Sequence, residues 1–382
     1  MKLAIVSILF LFTTLFLTAQ TTKSIIDEVS ADSLLLSLKQ LTGEEVVDKL
    51  GIIQNRKTVF GREMASKYLK TRLESYGLET RIDNYRTGGN NVIAFQTGSL
   101  YPDSVFMICA HYDSVDEFCA DDNASGTSAV LEAARILSKY KFEYSIVYAL
   151  WDEEEKGLIG SYNYAKSSRE RGEMIAGVIN LDMIGYDGNN DYLFEVHIGF
   201  NPKNIFLSDK VTSILTDNKF DLEKSTQIPG TDRSDHYSFW TFDYPAIFLT
   251  EGFYTNDFNP TYHSSDDKIA VMSLDFHHQI SQVAIASIFE LANLDTISSV
   301  EDSTDIVLDI FPNPTSDFIN LKKNRNVEIN DIKIYELSGR ELLSFAPDTY
   351  SNSIEITNLQ SGMYLLVVNT ATFRFTKAFI KI

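Results

Sequence analysis

The chain has 382 residues, of which 44% are hydrophobic and 23% are charged. This composition is typical of a globular protein, and the length is sufficient for one large domain and one small domain. The formal net charge is −20 at pH 7. Because such a surface repels a nucleic-acid backbone, the charge excludes nucleic-acid binding, whereas cations and the free amino groups of peptides are attracted to it.

The N-terminus carries a candidate export signal. Residues 1–20, MKLAIVSILFLFTTLFLTAQ, contain one lysine, an uncharged apolar run and a small-residue end. This layout predicts a secretory signal peptide. An uncleaved membrane anchor is the alternative, because the run is nearly long enough to span a bilayer. No later segment approaches that length, so we expect no other membrane span. Residues 21–30 are a polar lead-in, and residues 21–39 are predicted to be an N-terminal lead-in or propeptide.

Residues 40–293 alternate between strand-like and helix-like patterns. Helical spacing covers residues 33–50, 62–76 and 130–140, and Ser273 is placed to cap a last helix that runs to about Asn293. Short β-rich runs occupy residues 91–96, 104–110, 144–151, 176–185 and 245–252. This alternation predicts an α/β domain with a mixed, largely parallel central sheet flanked by helices.

The last part of the chain has a different character. Residues 294–305 are acidic and rich in small polar residues, and we interpret them as a linker. Residues 306–382 contain eight acidic and eight basic residues, so the negative charge belongs to the upstream part. Short strand-like runs with turn residues between them predict a small all-β sandwich.

Two cysteines, Cys109 and Cys119, are the only ones in the chain. In an exported protein they could form a disulfide. Cys109 lies in a predicted buried strand, however, where a cysteine is often a small hydrophobic residue. The sequence leaves both states open.

Histidine, aspartate or glutamate follows each predicted core strand. Taken singly, each of these residues has a structural explanation, such as a helix cap or a solvated face. In open α/β sheets, however, functional groups gather beyond the carboxyl ends of the strands, and a single shared site explains all of them together. The segments concerned are His111–Asp113, Asp121–Asn123, Asp152–Glu155, Asp182 and Tyr262–Asp267.

A pair of divalent metal ions explains this crowd of carboxylates. Four positive charges make neighbouring acids favourable, and imidazole with carboxylate but without thiolate indicates Zn²⁺, with Co²⁺ or Mn²⁺ as alternatives. A two-metal site needs one bridging carboxylate. It also needs a carboxylate that does not bind metal and acts as general base. Among the consecutive acids Asp152–Glu155, one can bind metal while a neighbour acts as the general base.

The order of the motifs resembles a known family. The chain is similar, over about residues 40–293, to the secreted two-zinc aminopeptidases of the bacterial leucyl aminopeptidase and aminopeptidase Y type. The resemblance implies a zinc-exopeptidase fold and removal of N-terminal residues from peptides with a free N-terminus. The motifs that carry it are HYD, DDNASG, EEKGLIGS, NLDMIG, RSDHYSF and YHSSDD.

The resemblance also implies a set of metal ligands for two Zn²⁺ ions per chain. His111 and Asp182 would hold one zinc, and Glu155 and His263 the other. Asp122, the central aspartate of the DDNASG motif, would bridge the two ions.

Further roles follow from the same motifs. Glu154 is expected to be the general base, Tyr262 to donate to the oxyanion, and Asp113 to orient His111. The chain departs from the family in having Asp152 and Glu153 before this pair of glutamates, which leaves open whether Glu153 or Glu154 is the base. A loop is expected to support the site or contact the substrate through Arg233, Asp235 and His236.

The tail resembles the C-terminal sorting domain of type IX secretion in Bacteroidetes. The similarity lies in FPNPTSDFINL, IKIYELSGREL, NLQSGMYLLVV and the basic end FTKAFIKI. It implies that the type IX machinery recognises residues 306–382, and that the protein is secreted or held at the cell surface. A sandwich that binds carbohydrate or protein is the alternative.

Two other functions compete with the aminopeptidase. A glutaminyl cyclase shares the sheet and similar motifs but uses one zinc. A non-catalytic receptor or adhesin would retain the fold after losing ligands, whereas all five expected ligands are present in this sequence. The preferred N-terminal residue and the oligomeric state do not follow from the sequence.

Overall fold

The structure is a computed structural model that describes residues 21–255, 257–293, 308–323, 329–336, 340–345, 353–370 and 374–382. The predicted signal peptide, residues 1–20, and the predicted linker, residues 294–305, lie outside these residues.

The first domain combines helices with one sheet. Its helices are α1 (Thr22–Glu28), α2 (Ala31–Leu41), α3 (Val59–Ser75), α4 (Gly126–Leu137), α5 (Ile159–Arg171), α6 (Pro202–Asn218), α7 (His236–Thr241) and α8 (Leu274–Ala292). Its strands are β1 (Glu79–Arg86), β2 (Gly89–Gln96), β3 (Tyr101–His111), β4 (Tyr144–Trp151), β5 (Met174–Leu181), β6 (Leu193–Ile198), β7 (Glu223–Gln227) and β8 (Ala246–Thr250).

The sheet has the strand order β1-β2-β4-β3-β5-β8-β6-β7. Its centre is parallel, since β4, β3, β5 and β8 pair in parallel along their shared edges. The β1–β2, β2–β4 and β6–β8 pairs are antiparallel. This mixed, largely parallel sheet confirms the predicted fold class. Its parallel centre brings the carboxyl ends of four strands to the same edge.

Both faces of the sheet are buried under helices. Successive residues of β3 point to opposite sides, so that Ile108 joins the cluster beneath α4 and α8 whereas Met107 joins the cluster beneath α5 and α7. Burial on both sides explains why β4 is a continuous apolar run instead of an alternating one. The cap of α8 is as predicted, because the Ser273 hydroxyl accepts a hydrogen bond from the Phe276 N–H.

The N-terminal segment, for which the sequence predicts a lead-in or propeptide over residues 21–39, is helical. It forms α1 and α2, and Ile25, Leu34 and Leu38 are fully or almost fully buried in the main core. The helix predicted over residues 33–50 ends at Leu41. The apolar face of α2 packs against α4 and α8. The amphipathic pattern in this segment therefore marks a helix that faces the core.

The two cysteines are free and buried. Cys109 lies inside β3 with its Sγ 3.4 Å from Oδ1 of Asn180, and Cys119 lies on the loop that follows. In this structure Cys109 has the core role that its strand position favours.

The C-terminal residues form two antiparallel sheets, of order β13-β10-β9 and β12-β11-β14-β15. One hydrophobic cluster draws residues from both sheets, including Ile319 and Leu366, which makes the pair a sandwich as predicted. Within the described residues, no helix is long and apolar enough to cross a membrane. The strands are β9 (Leu308–Phe311), β10 (Phe318–Lys323), β11 (Ile329–Glu336), β12 (Glu341–Phe345), β13 (Ser353–Glu355), β14 (Gly362–Thr370) and β15 (Arg374–Lys381).

Candidate metal centre

The five expected ligands meet at the carboxyl edge of the parallel strands. His111 ends β3, Asp182 follows β5, and Glu155 lies in a short 3₁₀ turn after β4. Asp122 belongs to an irregular helical turn that precedes α4, and His263 lies on the long loop after β8. Residues separated by up to 152 positions in the chain therefore converge because their strands are neighbours.

Their donor atoms form two groups that share Asp122. Nε2 of His111 lies 3.2 Å from Oδ1 of Asp182 and 3.3 Å from Oδ1 of Asp122. Nε2 of His263 lies 3.2 Å from Oδ2 of Asp122 and 3.2 Å from Oε2 of Glu155. Each oxygen of Asp122 thus faces a different imidazole, which is the arrangement of a bridging carboxylate.

The donor set fits divalent metal ions. Oδ2 of Asp122 and Oε1 of Glu155 are buried and receive no hydrogen bond. Burial, followed by the charge of Asp122, raises the pKa of Glu155 to about 7, and burial also raises the pKa of Asp182. The protein thus holds carboxylates where their charge is unfavourable, and cations would reverse this cost. Imidazole and carboxylate without thiolate suit zinc.

The backbone beside these residues is strained. Five non-glycine residues within three positions of an expected ligand, or at one of them, adopt positive φ values between 44° and 60°. Such conformations persist only where the surrounding structure fixes them, and they are concentrated at functional sites. These residues are Cys119, Glu153, Leu158, Met183 and His263.

Asp267 fixes the loop that carries Asp122. Its carboxylate accepts hydrogen bonds from the backbone N–H groups of Asp121 at 3.0 and 3.2 Å and of Asp122 at 3.0 Å. The Asn259 side chain donates to Oδ2 of Asp121 at 3.0 Å. The loop after β8 therefore positions the shared carboxylate as well as carrying His263.

Arg56 supports the same loop from the other side. The guanidinium is completely buried and donates to the carbonyl oxygens of Tyr112, Phe118 and Cys119. It also donates to the carbonyl of Leu41 at the end of α2. This one side chain links the N-terminal helices to the segment between β3 and the turn that carries Asp122.

The four consecutive acids after β4 have separate environments. Arg62 contacts Asp152 at 2.7 Å and Glu153 at 3.1 Å, and Glu153 also pairs with Arg86 and Lys156. Glu153 is therefore engaged by three basic side chains and belongs to none of the groups of donor atoms at the candidate centre.

Glu154 lies close to the expected ligands instead. A donor atom of Glu154 lies within 4.8 Å of donor atoms of His111 and Glu155. Burial raises the pKa of Glu154 well above its usual value, and the charge of Asp235 raises it further although His111 opposes the change. The geometry thus favours Glu154 over Glu153 as the acid that faces the site.

A small cavity of about 30 Å³ adjoins the ligands. Arg233 and Tyr262, both expected near the substrate, line it together with Met183, Phe248 and Phe253. The ring of Tyr262 also stacks on His263 with 3.6 Å between the ring centroids.

Asp235 and His236 lie behind this cavity. Asp235 is completely buried, and burial raises its pKa to about 7. His236 is also completely buried, contacts the Thr231 carbonyl oxygen through Nε2 at 2.8 Å and stacks on Phe248. His236 therefore supports the cavity wall and does not line it.

Some residues around the centre were not singled out from the sequence. Arg56 and Asn259 belong to no quoted motif, and only their long-range contacts reveal them. Asp267 and Ser234 do lie inside the quoted motifs YHSSDD and RSDHYSF. The Ser234 hydroxyl donates to Oδ2 of Asp182 at 2.7 Å, which fixes the second oxygen of that carboxylate.

Comparison with known proteins identifies the family. Residues 91–288, just over half of the chain, match the sequence profile of peptidase family M28, and the chain belongs to this family. The matched segment includes most of β2, all of β3 to β8, the turn that carries Asp122 and most of α8. The predicted resemblance to the aminopeptidase Y type is thereby confirmed.

Individual relatives agree with this result. Aminopeptidase Y of Saccharomyces cerevisiae is 28% identical over 209 residues, which cover 52% of this chain and 38% of that protein. The chain therefore spans well under half the length of this relative. The structure of LapA from Legionella pneumophila matches with a TM-score of 0.61 and 25% identity, covering 71% of this chain and 76% of LapA.

A glutaminyl cyclase shares the fold. The enzyme from Porphyromonas gingivalis matches with a TM-score of 0.53 and 19% identity, over 69% of this chain and 99% of that one.

The tail matches a second profile. Residues 309–382 match the secretion system C-terminal sorting domain, which supports secretion or surface localisation of the protein.

Proposed function

We propose that the protein is a zinc-dependent aminopeptidase that removes N-terminal residues from peptides. The observation that carries this proposal is the shared Asp122, whose two oxygens face Nε2 of His111 at 3.3 Å and Nε2 of His263 at 3.2 Å. Membership of peptidase family M28 and similarity to aminopeptidase Y support the same activity.

Two zinc ions per chain would be held at this centre. His111 and Asp182 would bind one, Glu155 and His263 the other, and Asp122 both. When bound, the ions supply a Lewis acid for the peptide carbonyl and lower the pKa of the attacking water.

Side chains of the protein would transfer the protons and stabilise the oxyanion. Glu154 takes one from the attacking water and returns it to the leaving amine, so that one water adds across the cleaved C–N bond. Tyr262, beside His263 at the cavity, donates a hydrogen bond from its phenolic hydroxyl to the oxyanion that forms at the carbonyl. Arg233 and the aromatic walls of the cavity contact the N-terminal residue of the substrate.

The preference for a free N-terminus is consistent with charge. The chain carries a formal net charge of −20, so a protonated peptide amine is attracted to its surface. A blocked terminus would lose that attraction.

A panel of peptides with free and acetylated N-termini, assayed with zinc analysis on the same sample, tests the proposal. Release of the first residue from free peptides alone, its loss after chelation and its recovery with zinc are expected. Cleavage of acetylated peptides at an equal rate would contradict an aminopeptidase.

Glutaminyl cyclisation is the second candidate, because the structural match includes 99% of the P. gingivalis glutaminyl cyclase chain. A peptide with N-terminal glutamine distinguishes the two activities. Loss of ammonia without peptide cleavage would favour the cyclase, whereas release of free glutamine would favour the aminopeptidase.

We also propose that the type IX secretion machinery recognises residues 306–382, after a signal peptide at residues 1–20 directs the first export step. Removal of residues 306–382 should leave the protein inside the cell envelope. Unchanged appearance of the shortened protein outside the cell would contradict this role.

A further inference from the structure

A second group of carboxylates lies outside the proposed zinc centre. Asp187 and Asp191 belong to the loop between β5 and β6, and Asp257 belongs to the loop after β8. One oxygen from each of the three lies within 4.8 Å of the others. Two separate loops therefore bring three acids to one place.

Asp187 is the member that indicates a ligand. The residue is only 7% exposed, and its buried Oδ2 receives no hydrogen bond. Its Oδ1 accepts the backbone N–H of Asp191 at 3.1 Å. Burial raises the pKa of Asp187, and the charges of Asp191 and Asp257 raise it further, although nearby backbone N–H groups lower it. Leaving such an oxygen without a partner is costly, and a cation would satisfy it.

The local sequence has the spacing of a calcium loop. Asp187, Asn189 and Asp191 alternate in DGNND, which is the D-x-N-x-D start of a loop whose oxygens bind Ca²⁺. The sixth position is Tyr192 instead of the usual glycine, so the rest of the motif is absent. The third carboxylate of the group, Asp257, comes from the other loop instead of from the rest of this motif.

Asp257 is held against this loop by backbone hydrogen bonds. Its Oδ2 accepts the N–H groups of Gly188 at 2.9 Å and Asn189 at 3.3 Å. The three acids offer only oxygen donors, without the imidazole of the zinc centre, and oxygen ligands in a surface loop suit Ca²⁺.

We propose that Asp187, Asp191 and Asp257 bind a Ca²⁺ ion that joins the β5–β6 loop to the loop after β8. The first loop begins at Asp182 and the second carries His263. The ion therefore stabilises two walls of the zinc centre without being part of it. Calcium sites of extracellular modules have a Kd of ~10⁻⁴–10⁻³ M, which suits an exported protein.

Calcium binding to the zinc-loaded full chain tests this proposal. Equilibrium dialysis with radioactive calcium measures the stoichiometry and the Kd, and a thermal melt with and without Ca²⁺ measures the gain in stability. D191N removes the negative charge of an exposed carboxylate and is not expected to disturb folding, whereas D187N removes the charge of the buried one. D217N is the matched control, because Asp217 is an exposed carboxylate on α6 outside the group.

We expect one Ca²⁺ per wild-type chain and a melting temperature that rises with Ca²⁺. D191N should bind at least ~10-fold more weakly, the smallest loss typical for disturbing the partners of a metal ligand. Its melting temperature should no longer respond to Ca²⁺, while D217N behaves as the wild type. Absence of binding to the wild type at millimolar Ca²⁺ would overturn the proposal, as would a wild-type Kd in D191N.

Discussion

The carboxylate of Asp113 approaches His111, with its Oδ1 3.5 Å from Nδ1 of the ring. The same carboxylate accepts hydrogen bonds from the backbone N–H groups of Glu154 at 3.1 Å and Glu155 at 3.4 Å. Asp113 therefore holds the end of β3 and the turn after β4 in one arrangement. At this distance Nδ1 makes no hydrogen bond, but the negative carboxylate beside it favours a proton on Nδ1, and that tautomer leaves Nε2 free for a metal ion.

We predict that D113N weakens zinc binding ~10–100-fold, the range for losing such a partner of a ligand. Competition with a coloured zinc chelator measures this affinity. D116N is the control, because Asp116 lies on the same loop but pairs with Lys57 at 3.5 Å. Equal affinities of D113N and wild type would show that the contact with His111 does not matter.

The second prediction separates the two candidate bases. E154Q should retain zinc and lose ~10²–10⁴ in kcat, the contribution of a general base. E153Q should keep most of the activity, because Glu153 is occupied by Arg62, Arg86 and Lys156. Steady-state hydrolysis of an aminoacyl nitroanilide by both variants provides the measurement. The opposite ranking of the two variants would move the base to Glu153.

The third prediction concerns the buried Arg56. R56M leaves several buried carbonyl oxygens without a donor, each at a cost of ~1–3 kcal/mol, so the free energy of unfolding should fall by at least ~3 kcal/mol. Urea unfolding measures it. R169M is the control, since Arg169 is 57% exposed and has a long 3.8 Å contact with Asp243. A similar small loss in both variants would refute a structural role for Arg56.

The fourth prediction uses the pH dependence of stability. Burial lowers the pKa of His277 from 6.5 to about 4. The contact of its Nε2 with the Ser125 carbonyl oxygen acts in the opposite direction but is the weaker effect. The folded protein keeps the ring neutral, whereas the unfolded chain takes up a proton below about pH 6.5. Stability should therefore fall as the pH drops from 6.5 towards 4, by on the order of 3 kcal/mol from this group.

H277Q should remove this part of the slope. Urea unfolding between pH 4 and 7 compares it with the wild type, and the difference between the two cancels effects of zinc release. H278Q is the control, because the neighbouring ring is only partly buried and contacts the Val29 carbonyl. A wild-type slope in H277Q would assign the pH dependence to other groups.

Local sequence patterns predicted the parallel core of the fold. The apolar run of β4 and the acids after it belong together, since a strand buried on both faces must place its polar residues at its end. The edge strand β1 was missed because it is polar and only partly buried throughout. The short helix α1 was missed because only Ile25 and Ile26 of its seven residues are buried.

The motifs predicted which side chains meet at the candidate site but not what holds them. Asp267 binds the backbone of Asp121 across 146 positions, and Arg56 binds Cys119 across 63. Such contacts depend on the tertiary structure and leave no periodic signal. The separation of Glu153 from Glu154 likewise depends on Arg62, which lies 91 positions away from Glu153.

The central claim is that five side chains bind a pair of zinc ions through a shared Asp122. Native mass spectrometry of the purified chain after dialysis against dilute zinc tests it most directly, with D122N beside the wild type. We predict two zinc ions in the wild type and fewer in D122N. A wild type that retains a single zinc, or a D122N variant that retains two, would contradict the shared centre.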